Sequence, residues 1–290
     1  MKNAFALCLL GAAILQPILS HAGTHEEARH AEAEAGQAMH DLATRDQAFA
    51  ALADSYFDTV YFPYQPTAGT LTGYHQYDAK IEDASRSSID AQIAALHDFE
   101  KRVAAFDPAG LGLTTRGDRE LVLSNIRSSL LTLEVIRPWE KNPDNYSGAI
   151  SNAAFSLMER KFAPADDRLR SLIAREKRMP RTLEQARINL KNPPKVYTDI
   201  AIEQLPGIVS FFEHDVPLAF ADAKDPALKA EFQKTNAAVI QSLKDYEQWL
   251  KSDLLPRSHG DFRIGAETFR KKLSYDEMVD TPLDKLLEIA

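Results

Sequence analysis

The segment His25-Glu26-Glu27-Ala28-Arg29-His30 brings together residue types that can hold a metal ion and supply a general base. On a helix that chemistry needs the two histidines four positions apart, so that both rings lie on one face and share an ion. Here they are five positions apart. At 3.6 residues per turn the two side chains diverge by about 140°. The segment is therefore expected to be solvated and non-catalytic, at most a weak adventitious metal site together with His21 and His40.

The other chemically suggestive groups divide in the same way. Glu213, His214 and Asp215 are consecutive, and neighbours on a helix point in different directions. A surface histidine beside a carboxylate is the expectation. The glycines of "GLGLTTRG" fit neither phosphate-binding pattern, and no strand precedes them, so a turn before a helix is expected. Asp166-Asp167 and Asp276-Glu277 fall near expected helix starts, where the dipole favours negative charge. His75 lies between Tyr74 and Tyr77 in a glycine-containing loop. Loops on a rigid scaffold often carry binding residues, although packed aromatics are the plainer reading. There is no G-x-S-x-G nucleophile turn. The residues alone yield no complete active site and no metal ligand set.

The elements that must position these groups are helical. Phe49, Leu52, Tyr56 and Val60 keep a 3.6-residue period, as do Ile89, Ile93, Leu96, Phe99 and Val103, and then Leu123, Ile126, Leu130 and Leu133. Leu169, Leu172, Ile173, Leu183, Ala186 and Leu190 mark a stretch that Pro180 is expected to divide. A helix follows "KNPPK", with a break or kink expected at Pro206-Gly207. Asp225-Pro226 is a strong N-cap and N1 pair, opening a long helix through Leu228, Phe232, Val239, Leu243, Tyr246 and Leu250. "DFRIG" is the one short extended candidate. Thr281-Pro282 then opens an amphipathic turn carrying Leu283, Leu286 and Leu287. The expectation is an all-α, irregular multi-helix array.

Composition agrees: 290 residues, 44% hydrophobic and 26% charged, with only 12 Gly. A net charge of −8 argues against nucleic acid as the main partner. Residues 1–22 read as a secretory signal, with Lys2, the apolar run "AFALCLLGAAIL" and small residues at Ser20 and Ala22. The chain is thus expected to be periplasmic or secreted and free of the membrane after cleavage. Cys8, the one cysteine, lies inside that signal, so the mature chain relies on its core rather than on disulfides. Residues 23–44, rich in Ala, Glu and His, are expected to form a flexible tail, and residues 45–290 the helical region.

Three stretches taken in order carry a resemblance: "PTAGTLTGYHQYDAKIEDAS", "LIAREKRMPRTLEQARINLKNPPKVYTDIAIEQLPG" and "FRIGAETFRKKLSYDEMVDTPLDKLLEIA". From about Asp46 to Ala290 the chain resembles the bacterial DUF885 family. The resemblance implies a mostly helical protein of the zincin metallopeptidase clan, with a peptide as substrate. In that family the zinc-binding H-E-x-x-H-like helix lies in a C-terminal half, which by this resemblance is expected to be absent here. Zinc is therefore expected only in that other half. The chain itself would supply walls of the substrate cleft, with Tyr74, His75, Asn192, Phe262 and Arg263 as candidate cleft or half-to-half contacts. Asn192 is also a candidate N-cap ahead of Pro193.

Three readings follow. The chain is a truncated family member that is inactive alone, with a separately encoded C-terminal half as its partner. Alternatively it is an enzyme with its own unrecognised site. In the third reading it is a non-catalytic exported module binding a peptide or protein.

Overall fold

A computed structural model describes residues 22–289. The secretory signal expected over residues 1–22 lies, apart from Ala22, outside them. Among the described residues there are helices and connecting loops but no strand; "DFRIG" is irregular coil. The fold is an all-α multi-helix array.

Helix α1 (Ala22–Tyr56) continues through a π-helical turn at Phe57–Tyr61. It reaches back to Ala22, so the segment expected as a tail is helical, and from Arg29 to Ala48 nearly every residue is exposed. Alanine and glutamate are strong helix formers, and this propensity supports helix where no core does. Phe49, Leu52 and Tyr56 of α1 pack with α3 (Arg86–Ala104) and α4 (Leu113–Leu130) around Leu96, Phe99 and Ile126. Helix α2 (Pro66–Leu71) lies between α1 and α3 in the chain. The Ser85 hydroxyl caps α3 by accepting the N–H of Ser88 at 3.3 Å.

A second core is built by five helices: α5 (Asp144–Met158), α6 (Ala165–Glu176), α7 (Met179–Asn189), α8 (Lys195–Ser210) and α9 (Pro226–Trp249). Pro180 divides α6 from α7 by occupying the first turn of α7, where a missing N–H does no harm. Pro206, in contrast, sits inside α8 without ending it. The irregularity comes just after, as a π-helical turn at Phe211–Asp215. Asp225 caps α9 as expected, accepting from Ala227 N at 2.8 Å and Leu228 N at 3.4 Å. Along α9 the buried Val239, Leu243 and Tyr246 face the core, each contributing roughly 1.5–3 kcal/mol through removal from water.

Helices α10 (Ala266–Glu277) and α11 (Leu283–Ile289) follow. α10 is fixed to α4 by Ser124, whose hydroxyl donates to Tyr275 O at 2.6 Å, and by Ser128, which donates to Asp276. No residue from 261 to 289 is buried.

Candidate functional site

The first two of the three stretches meet in space. Arg175, at the end of α6, is 0% exposed. Its Nη1 donates to Ala153 O at 2.5 Å and Ser156 Oγ at 2.7 Å, and its Nη2 to Thr70 Oγ1 at 2.7 Å and Tyr77 O at 3.4 Å. A guanidinium has five donors in a fixed fork and suits such a convergent set of oxygens. Burial pulls its pKa down to about 10, against the opposing attraction of Glu82 and Asp78. It stays charged at neutral pH and pins the loop after α2 to α5.

That loop is further organised by Glu82. Its carboxylate accepts from Thr67 N at 3.0 Å and Thr67 Oγ1 at 2.9 Å, capping the start of α2 from across the loop. Gly69 permits the close approach of Tyr77, whose Cδ2 would lie 2.8 Å from an added Cβ. Asn189, at the end of α7, is buried and donates from Nδ2 to Ala84 O at 2.8 Å and to Tyr146 Oη at 3.0 Å. Tyr146 in turn donates to Trp139 O at 2.5 Å.

Two adjoining cavities, each about 250 Å³, result from this arrangement. They share Ile81, Glu82, Ala84 and Thr182 as a common wall. The first is polar, with Glu82, Asp83, Arg178, Arg181 and Gln185 in its lining. All of its lining residues belong to the first two stretches. The second is mostly apolar, lined by Ile89, Leu133, Pro138, Trp139, Asn145, Tyr146 and Ala149 beyond the shared wall. A π-helical turn at Leu131–Ile136 and a left-handed Arg137 (φ 54°) set Trp139 in place. There its indole N–H donates to Leu133 O at 2.9 Å. π-Helical insertions of this kind recur where a fold positions functional groups.

The expected contact residues fall into two separate groups. Tyr74 packs on Phe62 with ring centroids 4.5 Å apart, and His75 stacks on Phe162 at 4.1 Å. His75 Nδ1 also lies 3.1 Å from Asp78 Oδ2. Both rings are thus engaged in packing while remaining partly open to solvent. Asn192 does not cap α8, whose N-cap position is Pro194. Its Oδ1 instead accepts the N–H of His259 at 2.8 Å, and Gly260 N donates to Pro193 O at 3.0 Å. The structure therefore brings Asn192 to the segment leading into Phe262 and Arg263. Both are exposed, with the Arg263 guanidinium over the Phe262 ring at 4.9 Å. No hydrogen bond, ion pair or ring contact among the described residues joins Tyr74 and His75 to this second group.

Among the remaining motifs, Asp166-Asp167 fall in the first turn of α6 as expected, whereas Asp276-Glu277 lie in the last turn of α10, where the dipole does not favour them. Glu213 pairs with Lys244 at 2.8 Å, His214 lies against Ser210 O at 3.0 Å, and His30 faces Glu34 at 3.1 Å on an exposed surface. Among the described residues no three His, Cys, Asp or Glu side chains converge to hold a metal ion. A catalytic zinc needs about three protein ligands, so the residues described do not fit one. Arg175, Glu82 and Asn189 escaped the sequence reading because each looks like an ordinary surface residue of a helix or loop. Their partners lie far away in sequence.

A family model described as "Bacterial protein of unknown function (DUF885)" matches residues 66–290. The chain belongs to the DUF885 family. The matched region opens at Pro66, where the first stretch begins, rather than near Asp46. No curated protein matches the chain. Among solved structures, one described as "a putative lipoprotein of unknown function from Shewanella oneidensis" is similar, with a TM-score of 0.72 and 24% identity. The match covers 83% of this chain and 44% of that one, so this DUF885 chain spans less than half the length of that relative. At this identity the likeness shows the fold alone. Among the described residues no helix is long and apolar enough to cross a membrane.

Proposed function

We propose that this chain is the exported, non-zinc-binding part of a DUF885 metallopeptidase-like protein. It supplies a wall of the peptide cleft and a docking face for a zinc-bearing part, and it is inactive alone. The observation that carries this reading is the bare segment from 261 to 289. It contains Phe262, Phe269, Leu287 and Ile289, the last two 80% exposed, and nothing in it is buried. These exposed apolar side chains are the surface that a partner would cover. The metallopeptidase assignment itself rests on the resemblance.

The test is to sequence beyond the Ala290 codon and to co-express the mature chain with any following frame that encodes H-E-x-x-H. The expected result is a complex that co-elutes and hydrolyses peptides in a chelator-sensitive way, with Leu287→Glu weakening the association. A confirmed stop with no such frame, or chelator-sensitive hydrolysis by the isolated chain, would overturn the proposal.

A second reading, a non-catalytic binding module, is favoured by the cavity pair beside Trp139, which is complete within this chain. It predicts a soluble, cooperatively melting monomer without hydrolytic activity.

A further inference from the structure

We infer that the two adjoining cavities form one bipartite site for a zwitterionic α-amino acid with a large apolar side chain. The polar cavity would take the charged backbone groups and the apolar cavity beside Trp139 the side chain. The site stands apart from the docking proposal, since every lining residue belongs to the described chain.

Charge comes first. Arg178, Arg181, Glu82 and Asp83 line the polar cavity together, yet neither arginine forms an ion pair with those carboxylates. Opposite charges that line one cavity without pairing leave room for a bridging group. The arginines are three positions apart at the start of α7, hence side by side. The positive end of that helix adds to their attraction for a carboxylate. Glu82 and Asp83 are already engaged, with Thr67 and with the N–H of Ser85 at 2.9 Å. A carboxylate has about four acceptor positions, so each keeps capacity for an ammonium group. The cavity therefore presents carboxylate-binding and ammonium-binding groups at once.

Shape comes second. The shared wall of Ile81, Glu82, Ala84 and Thr182 places the apolar cavity next to the charged one. Trp139 is held rigidly there by Leu133 O and by Tyr146, and the arginine groups of Arg86 and Arg137 lie 5.0 and 5.1 Å from its ring. A volume of about 250 Å³ is small beside typical drug-sized pockets and suits a single apolar side chain. Phosphate esters and simple fatty acids fit less well, because they lack the cation that Glu82 and Asp83 would receive.

Isothermal titration calorimetry of the mature chain tests this with four probes: L-phenylalanine, L-phenylalaninamide, N-acetyl-L-phenylalanine and L-serine. L-Phenylalanine is expected to bind, and each of the others more weakly by roughly tenfold or more, since each removes one charge or the side chain. Arg181→Ala, at an exposed position, should weaken L-phenylalanine by a similar factor without lowering the melting temperature. Ala149→Phe, which narrows the apolar cavity, should do the same while leaving L-serine unaffected. No heat with L-phenylalanine at about 10 mM would overturn the inference. So would equal affinity for all four probes, or unchanged affinity in Arg181→Ala.

Discussion

Arg175 Nη2 donates to Thr70 Oγ1 at 2.7 Å although the two residues are 105 positions apart in the chain. Through this bond and those to Ala153 O and Ser156 Oγ, one buried guanidinium joins the loop after α2 to α5 and α6. Replacing it with an apolar residue would leave several buried oxygens without donors. Arg175→Leu is expected to cost about 3–5 kcal/mol of unfolding free energy, measured by urea denaturation. Arg175→Lys should recover only part, because a point charge cannot reproduce the fork.

Glu176, the next residue, is 0% exposed. Its pKa is raised from 4.5 to about 8 by burial, offset in part by a hydrogen bond from Thr235. An acid whose folded pKa is raised binds more protons folded than unfolded. Its contribution to stability is thus fully present below pH 4.5 and is lost as pH rises toward 8. The loss across that window is on the order of a few kcal/mol. Glu176→Gln should abolish it, so denaturation midpoints of the variant at pH 5.5 and pH 8 should nearly coincide where those of the parent chain diverge.

Gly260 lies so close to the loop before α8 that an added Cβ would meet Asn192 O at 2.3 Å, a backbone atom that cannot swing away. Gly260→Ala is therefore expected to break the bonds from His259 to Asn192 and from Gly260 to Pro193. A loss of about 1–3 kcal/mol follows, and hydrogen exchange should quicken from residue 258 onward while α9 keeps its protection.

His75 is held by stacking on Phe162 and by Asp78. Because its ring remains partly in water, His75→Ala should cost no more than about 1 kcal/mol. If His75 lines a cleft, the same variant should change peptide turnover in the co-expressed complex by much more than it changes stability.

The helices were legible because their apolar periods are long and their boundaries carry Pro or capping residues, as at Pro180 and Asp225. Of the break or kink expected at Pro206-Gly207, the break does not occur: α8 runs on to Ser210 and a π-helical turn follows at Phe211–Asp215. The segment from residue 23 onward has no core-facing stripe, and its Ala- and Glu-rich composition favours helix without any core. Tyr74 and His75 stand out in the sequence as loop aromatics, but neither lines the cavity pair. Arg175, Glu82, Asn189 and the arginine pair of α7 do not stand out, because nothing local distinguishes a buried arginine from a solvated one. Asn192 was placed at a junction that matters, but with the wrong partner, since a side chain next to Pro-Pro reads as a cap until the distant His259 is seen beside it.

The bonds from Arg175 to Thr70 and from Asn189 to Ala84 each close a loop of 105 residues. Closing such loops is entropically unfavourable, and long-range contacts slow folding more than they affect stability. The helices on either side can form quickly from local sequence, whereas the loop that walls both cavities can settle only once α6 and α7 have arrived. In kinetic terms the pockets are the last part of this molecule to mature, and substitutions at Arg175 or Asn189 should act mainly by speeding unfolding rather than by slowing folding.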